Sequence, residues 1–156
     1  MSSETREIIG ETIKTALAVE ILKALPGIMI YRERMTGPLV FPHIYLEQLT
    51  LDADEDRKDH YFLSYFLTLR YRHVADINAP SAPVNLQAIL DGVSLSLLTG
   101  LKNLNFGALA RIRNANTEKV DGVLHYFCNV RIQVTKEKIE QIKQMYLTRN
   151  ITSREE

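Results

Sequence analysis

Residues 120–134 (VDGVLHYFCNVRIQV) constrain the fold of this chain more than any other stretch. They open on Asp121-Gly122, a turn dipeptide in which glycine accepts positive φ and aspartate bonds its own backbone. Strict alternation follows. Leu124, Tyr126, Cys128, Val130, Ile132 and Val134 fall on one side of a period-two ribbon, while Val123, His125, Phe127, Asn129, Arg131 and Gln133 fall on the other. The first side is apolar throughout and requires a core. The second turns polar along its length, so this strand needs one covered face and one only partly covered.

A second ribbon with the same asymmetry lies at 60–72 (HYFLSYFLTLRYR). Tyr61, Leu63, Tyr65, Leu67, Leu69 and Tyr71 share its apolar face; Phe62, Ser64, Phe66, Thr68, Arg70 and Arg72 share the back. Two ribbons patterned alike are expected to be neighbours in one sheet. Shorter strands are predicted at 28–32 (IMIYR), at 39–48 (LVFPHIYLEQ) and at 106–114 (FGALARIRN), where Phe106, Ala108, Ala110 and Ile112 alternate with Leu109, Arg111 and Arg113. Pro42 lacks a ladder donor, which argues for an edge position or a bulge in the second of these. The acidic stretch 52–59 (DADEDRKD) reads as a solvated hairpin loop, and 115–122 as the loop leading into the last ribbon.

Two helices supply the cover. Ile9, Ile13, Leu17 and Ile21 recur every four residues behind the capping residues Ser2 and Ser3, and Pro26-Gly27 ends the run. Leu86, Leu90, Val93, Leu97 and Leu101 repeat the pattern, widened by Ile89 and Leu98, with Ser81 or Pro83 available to start the helix. Thr135 can cap a short third helix striped by Ile139, Ile142 and Tyr146, followed by a polar tail over 149–156. The reading is a single α+β domain over 1–148, ordered α-β-β-β-α-β-β-α: a mainly antiparallel sheet of about five strands with two helices on one face and a short C-terminal helix.

The chemistry-bearing residues do not converge. The four histidines, His43, His60, His73 and His125, show no i, i+4 metal spacing, and His43 and His125, inside predicted strands, each read as a hydrogen-bonded structural residue. The sequence has no glycine-rich phosphate loop, no G-x-S-x-G elbow and one cysteine, Cys128, on an apolar strand face. The acidic run Asp52, Asp54, Glu55, Asp56 lacks the sixth-position glycine and closing glutamate of a calcium loop. Neither catalysis, a metal nor a cofactor is therefore expected. Arg111, Arg113 and Arg131, with Arg70 and Arg72, form a basic strip on the sheet's back. With 19 basic residues balanced by 19 acidic ones, however, a grip on nucleic-acid phosphates is not favoured. No apolar run reaches the ~20 residues of a spanning helix or resembles a signal peptide, so a soluble protein is expected, with no membrane partner.

Several of these segments, in order over roughly 8–134, resemble the tail terminator (tail completion) proteins of tailed bacteriophages and defective prophages. They are the first helix, the short strand with Ile30-Tyr31-Arg32-Glu33, the proline-bearing second strand, the aromatic ribbon, and above all Asp121-Gly122-Val123-Leu124-His125-Tyr126-Phe127. The resemblance implies a small structural subunit of the virion tail, assembled in the host cytoplasm, that closes into a ring, commonly a hexamer. The ring would cap the head-proximal end of the tail tube, stop tube polymerisation and offer a docking surface for the head-tail connector or stopper protein, with DNA only passing through. On that reading Asp52, Asp54, Glu55 and Asp56 face the lumen or a neighbouring ring, and Arg111, Arg113 and Arg131 are subunit contacts. Two alternatives stay open from sequence: another head-tail joining subunit, or a cytoplasmic ligand-binding domain.

Overall fold

The computed structural model describes residues 2–33, 36–106 and 109–155, the side chains at 48, 49, 56 and 150–155 excepted. The order is α1 (Ser3–Ala24), β1 (Met29–Tyr31), β2 (His43–Arg57), β3 (His60–Arg72), α2 (Leu86–Gly100), β4 (Asn103–Asn105), β5 (Leu109–Val120), β6 (Val123–Thr135) and α3 (Lys136–Glu155). The strands form one six-stranded sheet in the order β1-β2-β3-β6-β5-β4. The two long ribbons lie side by side at its centre. Leu63 is opposite Ile132, Leu67 opposite Cys128 and Tyr71 opposite Leu124. All six are buried, so the apolar sides share one face as the alternation requires.

That face carries the core. Ile9, Ile13, Leu17 and Ile21 of α1, Leu90 and Leu97 of α2, and Ile139 and Ile142 of α3 join the inward residues of β2, β3, β5 and β6 in one buried cluster. Burying a side chain of this kind is worth roughly 1.5–3 kcal/mol, and the helices have no other apolar surface of comparable extent to bury against. Capping follows the sequence at two ends. Ser2 Oγ accepts from the Thr5 amide at 3.1 Å, and Thr135 Oγ1 accepts from the Lys138 amide at 3.1 Å. α2 begins later than expected, at Leu86 behind Asn85, and Leu98 lies 38% exposed instead of widening the buried stripe.

The sheet is mainly antiparallel, as expected, but one parallel pairing makes it mixed. β1 pairs with β2 in parallel, Met29 to His43 and Tyr31 to Tyr45, because the segment between them returns the chain to the end of the sheet from which it left. A sixth short strand, β4, pairs with β5 over Asn103–Asn105. β2 starts at His43, immediately after Pro42: the ladder begins where the first backbone donor becomes available.

The acidic stretch is not a loop. β2 continues through Asp52, Asp54 and Glu55 to Arg57, paired with β3 to its first residue, and the turn is confined to Lys58 and Asp59, the latter at φ 62. Leu51, 8% exposed, and half-buried Ala53 carry the inward alternation that the charged residues between them mask. Similarly, β5 runs to Val120, past a bulge between Arg113 and Asn116 with Asn114 at φ 53. The extra residue there shifts the alternation, which is why periodicity ended the strand early. The expected position of Ala108 in this strand lies outside the described residues. Only Asp121 and Gly122, at φ 50 and 74, then separate β5 from β6, so the expected turn has positive φ at the aspartate as well as at the glycine. The closing helix is long, reaching Glu155.

Candidate assembly surface

With α1, α2 and α3 all packed on one face, the opposite face of the sheet displays the second set of ribbon side chains. Strand registry sets them in rows. One row runs from Asp52 on β2 through Ser64 on β3 and Arg131 on β6 to Arg111 on β5; the next runs from Thr50 through Phe66 and Asn129 to Arg113. Asp54 sits opposite Phe62 beside the first row. Asp52, Asp54, Arg111, Arg113 and Arg131 are all exposed. Asp52 and Asp54 thus lie on the β2 side of this face and Arg111, Arg113 and Arg131 on the β5-β6 side, while Arg57 on β2 and Glu118 on β5 carry the opposite signs. At about 4.8 Å between neighbouring strands, Asp52 and Arg111 are about 14 Å apart across the sheet, too far to pair. No ion pair joins Asp52, Asp54, Arg111 or Arg113 to another described residue.

Glu55 falls on the other alternation, opposite Tyr61 and exposed past the end of the core; the side chain of Asp56 lies outside the described residues. Arg131 leans over the Phe62 ring, its guanidinium carbon 4.6 Å from the centroid. Arg70 and Arg72 do not join the basic strip. Arg70 donates to Glu47 Oε2 at 2.7 Å, while Arg72 donates to the Ala75 carbonyl at 3.1 Å and lies 5.4 Å from the centre of Phe41. These two arginines are engaged within the subunit, at the opposite end of the strands.

The histidines are placed by local contacts. His43 is 3% exposed, donates from Nδ1 to the Val40 carbonyl at 2.9 Å and packs edge-on to Tyr31. Burial depresses its pKa below the usual histidine value, with Arg72 adding a smaller push the same way. His73 bonds Tyr71 Oη at 2.8 Å, and His125 stacks on Phe127 on the outer face. Cys128 is buried, and desolvation raises its thiol pKa to about 12. Among the described residues, no three histidine, cysteine or acidic side chains are grouped as metal ligands, and no helix is long and apolar enough to cross a membrane.

The motif after the first strand is used to fasten β1. Tyr31 Oη accepts from the Val40 amide at 2.9 Å, and Arg32 donates to both the carbonyl and Oε2 of Glu11 on α1 at 2.9 Å. Arg32 and Glu11 line one wall of a cleft of about 650 Å³ that Phe106, Ile142 and Met145 close from β4's end and α3. Sequence reasoning missed the free strand edges that flank the charged rows. β1 pairs with β2 only as far as Tyr45, and β4 reaches only Arg111 of β5, extended by the Ile112 amide bond to the Lys102 carbonyl at 2.8 Å. Among the described residues, 46–57 of β2 and 113–120 of β5 therefore have a strand on one side only.

A family model described as phage tail terminator protein matches residues 12–142. No curated protein matches the chain.

Proposed function

The chain belongs to the phage tail terminator family, and on that premise we propose that copies of it close into a ring capping the head-proximal end of a tail tube. The ring ends tube polymerisation and presents the surface onto which a head-side connector or stopper protein docks. A structural role in the phage tail follows from the family itself. The ring is supported by one observation above others: on the bare sheet face Asp52 and Asp54 stand on one side and Arg111 and Arg113 on the other, and none of the four has an ion pair among the described residues. A patch that matches a different patch on the next copy makes a heterologous contact, and such contacts close into a ring when the rotation per subunit divides a full turn. Balanced charge suits a lumen through which DNA slides without being held.

Tail length tests the reading. Particles assembled without this protein are expected to carry tubes of broad, extended length that fail to join heads. Tubes of normal length and normal joining would overturn it; normal length with failed joining would move the protein to the head side of the joint.

A further inference from the structure

We propose that the cleft between α1 and α3 receives an amphipathic helix of a partner protein, which seats its apolar stripe between the two helices and an acidic residue beside Arg32 and Arg149. The cleft lies on the helical side of the sheet, away from the bare face, so the site stands whether or not copies close into a ring.

Two helical stripes line it. On α1 the residues are Thr12, Thr15, Ala16 and Val19; on α3 they are Ile142, Met145, Tyr146 and Arg149. Each set is spaced i, i+3, i+4, i+7, which keeps to one side of a helix for two turns, about 10 Å. Buried Phe106 and Ile142 back the cleft. The hydroxyls of Thr12 and Thr15 donate to the Ile8 and Glu11 carbonyls at 2.7 and 2.9 Å, so neither offers the cleft a free donor. Val19 and Met145, by contrast, are half-exposed, at 50% and 52%. Covering apolar side chains of this size completely is worth roughly 1.5–3 kcal/mol each. Paired stripes at this repeat match a third helix, whose own i, i+3, i+4, i+7 anchors have the same period.

Charge selects the kind of helix. Arg32 and Arg149 line the cleft together with a single carboxylate, Glu11. That carboxylate is already engaged: Arg32 donates to its Oε2 at 2.9 Å, and Lys14 Nζ lies 3.8 Å from its Oε1. Glu11 does not saturate Arg32, whose buried Nε has no hydrogen-bond partner. The cleft is therefore positive. A helix carrying a carboxylate next to its apolar stripe meets complementary charge there, whereas one carrying a lysine meets its own sign. A second copy of this chain is a poor occupant, because α1, α2 and α3 all bury their apolar stripes in their own core.

Fluorescence anisotropy tests this with a labelled, lactam-bridged helical peptide that carries leucines at i, i+3, i+4 and i+7 flanked by glutamates. The wild-type chain is expected to bind it at least tenfold more tightly than a peptide of the same composition with its leucines spread around the helix. It should also bind it more tightly than a counterpart with lysines for the glutamates, and Arg149→Gln should narrow that preference. Val19→Gln/Met145→Gln alters two half-exposed positions, and circular dichroism is expected to show it folded. Its binding should be at least tenfold weaker, since two covered apolar side chains are lost. No binding of the acidic peptide, equal binding of the scrambled or the lysine peptide, or unchanged binding by the double variant would each overturn the site and leave the ring reading standing. Self-association of the wild type that the double variant abolishes, read by light scattering, would give the cleft to a second copy and overturn the partner helix. Should the double variant fail to fold, Val19→Thr and Met145→Gln replace it singly. Binding about threefold weaker is then expected of each, and unchanged binding overturns the site.

Discussion

Arg111 and Arg131 stand directly opposite each other across the β5-β6 ladder, both exposed on the outer face. Arg131 turns toward Phe62 on β3, away from its neighbour, and takes up a ring contact at 4.6 Å. Such an arrangement costs the isolated subunit stability, since like charges opposed across strands are unfavourable by roughly 0.2–1 kcal/mol. Among the described residues, no ion pair offsets it on the Arg111 side.

Arg111→Glu is accordingly expected to stabilise the folded subunit. The glutamate gains Arg131 as a partner, and a gain of this size corresponds to about 1–4 °C in melting temperature for a domain of this length. A thermal melt of dilute, monomeric protein at low salt checks it. The gain should shrink in high salt, where exposed pairs are screened. A melting temperature lowered by several degrees would mean that Arg111 makes a contact within the subunit that its geometry does not suggest.

Acid should destabilise the fold through His43. Its folded-state pKa is depressed by burial, so below the ordinary value of 6.5 the unfolded chain binds a proton that the folded chain resists. Stability is then fully present above that value and lost as pH falls. Asparagine at this position keeps a donor near the Val40 carbonyl and does not titrate. His43→Asn is expected to melt with a shallower dependence between pH 7 and pH 5 than the wild type. Identical slopes would place the acid sensitivity elsewhere.

The fold was legible where alternation ran unbroken and one face was apolar throughout. β3 spans the ribbon read from the sequence, and β6 differs only at its ends. The stripes of α1 and α2 were visible for the same reason. Legibility failed where charge or backbone geometry hid the alternation. In β2, the inward residues Leu51 and Ala53 are interleaved with acids, so a strand resembled a loop. In β5, the extra residue after Arg113 put later side chains out of phase. The parallel pairing of β1 and the open edges arise from which strands end up adjacent, a relation no local pattern carries. The charged residues of the outer face were each identifiable from sequence. Their division between the two sides of one face was not, because it depends on the strand order β2-β3-β6-β5.

Cys128 should resist thiol reagents in the folded protein. Its raised pKa, about 12, arises first from desolvation, with the Tyr126 hydroxyl lowering it only in part. The thiolate is the reactive form, and at pH 8 it is scarce and enclosed. Labelling with an aromatic disulfide is expected to be slow in native buffer and complete in denaturant. Stability should also fall as pH climbs from the ordinary thiol range toward 12, because only the unfolded chain releases the proton there. Rapid stoichiometric labelling of native protein would show that the β3-β6 face opens locally.

Gly122→Ala should be costly to the fold itself. The residue sits at φ 74 in the two-residue turn between β5 and β6, a region that an alanine side chain disfavours by about 1–2 kcal/mol. Space is lacking as well, since a Cβ there would run into Cγ2 of Ile77 in the segment between β3 and α2. A loss of about 2–3 kcal/mol, read by urea denaturation, follows from the two effects together. Ile77→Ala separates them: in that background the collision is relieved and only the backbone penalty remains, so the cost of Gly122→Ala should fall to about 1–2 kcal/mol. If the cost is the same in both backgrounds, Ile77 yields freely and the turn geometry alone fixes this glycine.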